Sequence, residues 1–246
     1  MAQNTVIRSA PSQPQPLLSF NMENVDTIFP GFTLGNFAVI YGLPSILSLS
    51  LLLTVRAQLP YELGGLESDV IFVDGSNTFR LYKVSRLAKL HKLNPRKALQ
   101  RIFISRAFTA HQMTSIIIDK LELIIQKRNA KLVILSDLIE LYLDTDIPPK
   151  ESKEIFTQIT AHLSRMAREK SLIILATCPP QDYSRLNTFL QALVSAKSNI
   201  TIRIRRKSVH PFNKQFVLEK HPILRTGCVD FPCPDLTLND FFGGVQ

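Results

Sequence analysis

The stretch Phe37-Ala38-Val39-Ile40-Tyr41-Gly42-Leu43-Pro44-Ser45-Ile46-Leu47-Ser48-Leu49-Ser50-Leu51 decides how this chain folds. No residue from Asn36 to Val55 is charged, and the run is long enough to span a bilayer. Its internal order argues against lipid. Residues 37–41 have strand character, Gly42-Leu43-Pro44-Ser45 is a turn signal, and the Leu-rich continuation has helical character. A buried strand, a tight turn and a buried helix account for the run, and no membrane contact is expected.

The same strand-turn-helix order frames a phosphate-binding loop, which needs G-x-x-x-x-G-K-[ST]. Gly42 stands at the first glycine, but Leu47, Ser48 and Leu49 occupy the places of Gly, Lys and Ser/Thr. Each change has a physical cost to nucleotide binding. Leu47 disfavours a positive φ, and Pro44 removes one N–H from the cradle. Ser48 brings no charge to the phosphates, and Leu49 cannot ligate Mg²⁺. A packed turn without a nucleoside triphosphate is expected. No cofactor is assigned, and ATP with Mg²⁺ is not expected.

Working outward, short apolar runs predict strands at 37–41, 70–74, 102–105, 132–135 and 172–176, alternating with helices at 45–58, 81–91, 110–128 and 152–169. That order predicts an α/β fold with a parallel sheet covered on both faces. Residues 200–206 and 215–219 alternate in type and predict an antiparallel C-terminal extension. The Pro-, Gln- and Ser-rich residues 1–16 read as a disordered arm without the apolar core of a signal peptide, leaving 17–246 as a single domain. Apolar residues make up 45% of the chain, ample for a core, which excludes a wholly disordered polymer. Three cysteines, Cys178, Cys228 and Cys233, exclude a disulfide scaffold and suit a reducing, cytoplasmic compartment.

The net charge is +9, and its placement is informative. From Gly75 to Ile118 there is no acid among Arg80, Lys83, Arg86, Lys89, Lys92, Arg96, Lys97, Arg101 and Arg106. This run reads as a solvated basic face. A second acid-free run, Tyr183 to Leu218, packs Arg203, Arg205, Arg206 and Lys207 into five residues and reads as a nucleic-acid contact.

Several segments, in order, resemble the ATPase core of the RecA/RadA recombinase family, in particular its short archaeal RadA/RadB-like paralogues without an N-terminal helical domain. They are Val25-Asp26 with Pro30-Gly31-Phe32-Thr33-Leu34-Gly35, then Asp74-Gly75-Ser76-Asn77-Thr78-Phe79-Arg80, then Leu93-Asn94-Pro95. Ser105-Arg106-Ala107-Phe108 with His111-Gln112, and Leu218-Glu219-Lys220-His221-Pro222, complete the series. The resemblance covers residues 24–222. It implies a three-layer RecA-like P-loop NTPase core, mostly parallel with the antiparallel extension.

The departures from that pattern concern the chemistry. Ser48 stands for the phosphate-loop lysine, and Ser76 for the glutamate that activates water. Ser136 stands for the metal-associated aspartate, with Asp137 one place later, and Cys178 stands for the γ-phosphate-sensing glutamine. The resemblance therefore implies a pseudo-ATPase with no catalytic residue and no metal. What remains is binding of single-stranded or branched DNA, or of a recombinase or related RecA-fold subunit, in recombination and repair. An oligomer and, in a prokaryote, nucleoid association belong to the same expectation.

The DNA-contact set is Arg185, Lys197, Arg203, Arg205, Arg206 and Lys207, of which Arg203 and Arg205 share one strand face and Arg206 takes the other. Tyr183 and Phe189 are stacking candidates, although Leu186, Leu190 and Leu193 at helical spacing make Phe189 a core residue. Two alternatives stand. One is a protein-interaction subunit docking through the arm and Phe241-Phe242, and the other a weak nucleotide binder using Gly42 and Asp74. Cys228 and Cys233, the scattered His111, His162 and His210, and the turn carboxylates Asp144 and Asp146 carry no further chemistry.

Overall fold

The computed structural model describes residues 16–180, 184–207 and 210–232. The arm expected over residues 1–16 lies, but for Pro16, outside these, as do Tyr183, Cys233 and Phe241-Phe242. Strands β1 (Leu17–Leu18) and β2 (Phe32–Thr33) form a small antiparallel ribbon around α1 (Glu23–Asp26). There follow β3 (Phe37–Gly42), α2 (Ile46–Arg56), β4 (Val70–Asp74), α3 (Leu81–Leu90), α4 (Pro95–Gln100) and β5 (Ile102–Arg106). Then come α5 (Ala110–Ser115), α6 (Leu121–Arg128), β6 (Leu132–Ser136), α7 (Pro149–Glu169) and β7 (Ile173–Cys178). The chain closes with α8 (Arg185–Lys197), β8 (Ile200–Lys207), β9 (His210–Lys220) and β10 (Gly227–Pro232).

The main sheet has the order β10-β9-β8-β3-β7-β6-β4-β5, with β8 to β5 parallel and β9 and β10 antiparallel. Alternate residues of β3 enter different cores. Ala38 and Ile40 join α2, α3 and α4 on one face, while Phe37 and Val39 join α5, α6, α7 and α8 on the other. This two-sided burial explains why residues 36–55 carry no charge. Among the described residues no helix is long and apolar enough to cross a membrane.

The five predicted parallel strands hold to within two residues at each end. Of the predicted antiparallel extension, residues 215–219 fall in the antiparallel β9, whereas residues 200–206 form β8, which runs parallel to β3 because α8 carries the chain back along the sheet before it. Two helices differ from expectation. The helix read over 110–128 carries a π turn at Ile116–Lys120 between α5 and α6. Helix α4 escaped the apolar pattern because it is one and a half turns long. It is defined by Asn94, whose side chain accepts from Lys97 N, and by Pro95 in the first turn.

The lead-in segment is fastened to the sheet by aromatic packing and one arginine. Phe32 meets Phe20 and Phe29 edge to face, with Phe20 also 5.8 Å from Phe216 on β9. In the last turn of α2, Arg56 is 2% exposed. Its Nε donates to Ser19 O at 2.6 Å, and its Nη2 to Ser19 Oγ at 3.0 Å and Leu63 O at 2.7 Å.

Around this arginine, burial pushes the Asp26 carboxyl up to about 6, partly offset by Arg56, and pushes His91 down to about 4. Asp26 keeps its proton in the folded state above its ordinary 3.8, so it reduces stability as pH rises from about 4 to 6. His91 resists protonation below its ordinary 6.5, so it reduces stability as pH falls from about 6.5 to 4. The two slopes oppose each other. Asp26→Asn is expected to uncover the histidine slope, so that the urea midpoint of the variant climbs between pH 4 and 6.5 more steeply than that of the parent. Parallel profiles would refute the assignment.

Candidate functional site

At the end of β3 the turn is closed by its own backbone. Gly42 takes φ +111°, and Leu43 N donates to Ile204 O of β8 at 3.0 Å. Ile46 N bonds Leu43 O at 3.0 Å, Leu47 N bonds Pro44 O at 3.2 Å, and Ser48 N bonds Ser45 O at 2.9 Å. A phosphate cradle needs such amides free and pointing at the ligand. Here they are consumed, and Leu47, Ser48 and Leu49 lie within α2. Leu47 packs against the core in place of an open glycine turn. Lys83 of α3 donates through Nζ to Ser48 Oγ, so an ammonium does reach the place of the missing lysine, from another helix. The sequence signal for it was its membership of the first basic run, which does not foretell that contact.

The carboxylate end of the site is equally internal. Asp74 is fully buried. Its Oδ1 accepts from Thr78 N at 2.7 Å and Thr78 Oγ1 at 2.9 Å, and its Oδ2 accepts from Phe79 N at 3.1 Å and faces Arg106 Nε at 3.7 Å. Ser136 Oγ lies 2.6 Å from the same Thr78 hydroxyl. Ser76 Oγ is buried with no hydrogen-bond partner among the described residues. Asp137 follows β6 in the left-handed region, at φ +56°, with its N–H donated to Thr177 Oγ1 at 3.0 Å. Burial, reinforced by Asp137, pushes the Cys178 thiol well above its ordinary value, so it stays protonated and unreactive. Among the described residues no group of three or more His, Cys, Asp or Glu side chains could hold a metal.

The second basic run divides by geometry. On β8 the residues Ile202 and Ile204 enter the core, so Arg203 and Arg205 emerge together on the opposite face, and Arg206 points away from them. Arg203 stacks over Tyr41 at 5.8 Å and faces Glu219 at 4.0 Å. Tyr41 Oη donates to Glu219 Oε2 at 2.6 Å, and burial with this carboxylate pushes the phenol up to about 12. Arg205 Nε donates to Gln215 Oε1 at 3.0 Å, and Lys207 is ion-paired with Asp230.

A groove of about 520 Å³, bordered by Tyr41, Gly42, Pro179, Gln191, Arg203 and Glu219, runs between α8 and the ends of β3, β7 and β8. Arg185 stands at the first turn of α8, whereas Lys197 is its last residue, about 18 Å along the helix axis. Arg185 thus follows the exit of β7, and Lys197 lies at the opposite end of the strands, just before β8 begins. Lys220, absent from the predicted set, caps that lower end of α8 through Ser195 O, Ala196 O and Ser198 O. Phe189 corrects the sequence reading. It is on the helix, but 44% exposed, with Lys153 Nζ 4.9 Å above its ring. Leu190 and Val194 supply the buried face instead.

The order of strands, the glycine turn after β3 and the acidic strand end at Asp74 define a RecA-like core. The family described as Rad51 matches residues 23–179, and the chain belongs to this family. It is also 31% identical over 117 residues to the DNA repair and recombination protein RadA of Aeropyrum pernix. That match covers 47% of this chain and 36% of the relative, so the chain spans about a third of the relative's length. The six cations of the DNA-contact set all lie beyond the matched residues 23–179.

Proposed function

We propose that this chain is a non-hydrolysing RecA/RadA-like paralogue that binds DNA and assists recombination and repair in the cytoplasm. The observation that carries the non-hydrolysing half is the closed turn after β3, whose amides bond Ile204 O and the turn's own carbonyls. Support for the DNA half comes from Arg203 and Arg205 on one exposed face, Arg203 bordering the groove, with Arg185 opening the helix α8 that lines its other side. Membership of a family containing a relative named for DNA repair and recombination agrees with this role. On that face Arg205 contributes more than Arg203, because Glu219 already offsets Arg203.

The test combines calorimetry of Mg-ATP binding with binding of a labelled single-stranded oligonucleotide across a salt series. Wild type should show no saturable nucleotide heat and a linear log–log salt plot. Arg203→Gln/Arg205→Gln should flatten the slope by about 1.4, the value for two lost phosphate contacts on a single strand. Saturable Mg-ATP binding would overturn the first half, and an unaltered slope the second.

A second reading, a subunit that docks on a related RecA-fold protein, is favoured by β5. Among the described residues this strand pairs with β4 alone, which leaves its outer edge open there. Beside that edge, Ile104 is 37% and Phe108 71% exposed. An extended segment of a partner could add to it as a strand, with these side chains as anchors. Oligomers of the chain itself would use the same edge.

A further inference from the structure

The first basic run, read above as a solvated face, separates in the structure into two groups. Its inner cations are engaged: Lys83 with Ser48, Arg101 with Asp69 and Arg106 with Asp74. The outer ones are not. Arg86, Lys89, Lys92, Arg96 and Lys97 fall within twelve residues without one acid, and all five are exposed. Among the described residues every ion pair is made elsewhere.

The five lie exposed on two consecutive helices that pack together, α3 and α4, and on the turn between them. Val84, Leu87 and Ala88 turn inward, so Arg86 and Lys89 point outward on α3 in line with Tyr82, which is 85% exposed. Lys92 occupies the turn at φ +58°, and Arg96 and Lys97 follow on the first turn of α4. Helix stability does not account for those last two, because cations at a helix N-terminus oppose the macrodipole.

We propose that the α3–α4 face binds the phosphate backbone of a nucleic acid, as a surface separate from β8. Phosphate contact requires only exposed cations and carries no need for an apolar anchor. A protein interface requires an apolar core, and here the exposed side chains from Arg86 to Lys97 are cations or polar groups, with Tyr82 the one aromatic ring in line with them, placed to stack on a base as well as to cover the chain. The face also stands apart from Arg203 and Arg205. Helix α3 covers one side of the sheet and these arginines emerge on the other, with β4 four strand spacings, about 19 Å, from β8.

The inference goes beyond the β8 reading and does not rest on it. The test titrates the full chain with a labelled duplex over a salt series, comparing wild type, Arg86→Gln/Lys89→Gln/Arg96→Gln and Arg203→Gln/Arg205→Gln. The triple variant should flatten the log–log slope by about 2.7, weaken binding at low salt at least about tenfold, and melt as wild type does. The same result with an intact β8 response, or without one, supports the α3–α4 face. A triple variant that binds with the wild-type slope overturns it, whatever the β8 variant does. So does polyglutamate binding that the triple variant abolishes while duplex binding is unchanged.

Discussion

Gly42→Ala is expected to lower the stability of the chain by about 3–5 kcal/mol, with an unchanged dependence on urea concentration. Two costs combine. At φ +111° an L side chain is strained, and a Cβ built on Gly42 would lie 2.1 Å from Ile204 O. That oxygen belongs to backbone at the last register pair of β3 and β8, where Gly42 is the partner of Ile204, and Ile204 is held from its other side by β9. It also accepts from Leu43 N, so relief by a small shift would break the bond that closes the turn. The measurement bears on function as well as stability. A loss below about 1 kcal/mol would mean that β3 and β8 separate readily here and that the turn can open to a ligand, against the reading of a closed site.

Arg56→Ala is expected to cost a similar amount, about 3–5 kcal/mol. The guanidinium is held down to about 10 by burial, partly offset by Asp26, yet it is the donor for two backbone carbonyls and one hydroxyl. Removing it strands those acceptors, each at about 1–3 kcal/mol. The lead-in segment then loses its tie to the end of α2, and the packing of Phe20 and Phe29 against Phe216 is left to hold it. Arg56→Met separates the contributions. It refills the stem volume without restoring a donor, so it should recover only the packing part of the loss. A methionine variant as stable as the parent would show that these hydrogen bonds contribute nothing net. Both are read from urea denaturation followed by circular dichroism.

The role of the first basic run changes once the fold is known. Spacing alone cannot tell a cation that neutralises a buried carboxylate from one that faces water. Arg106 and Arg86 look alike in sequence, yet Arg106 lies at the end of β5 beside Asp74 while Arg86 lies on the outer side of α3. The same holds for the second run, where Lys207 meets Asp230 because β9 and β10 fold back over β8.

What the sequence by itself determined is the class of fold and the departure of positions 47–49 from the phosphate-loop pattern. Short apolar runs bounded by turn residues mark strands buried on both faces, and the absence of Gly, Lys and Ser/Thr at positions 47–49 is visible without coordinates. The face shared by Arg203 and Arg205 was equally legible, since strand periodicity is local. What the tertiary structure alone decided are contacts between segments distant in sequence. Ile204 closes the turn after Gly42, Lys83 reaches Ser48, and Lys153 covers a Phe189 that helical spacing had assigned to the core. The reason is physical. Periodicity records which side of an element is apolar, whereas these contacts depend on strand order, register and the packing of one helix on another, which no local pattern encodes.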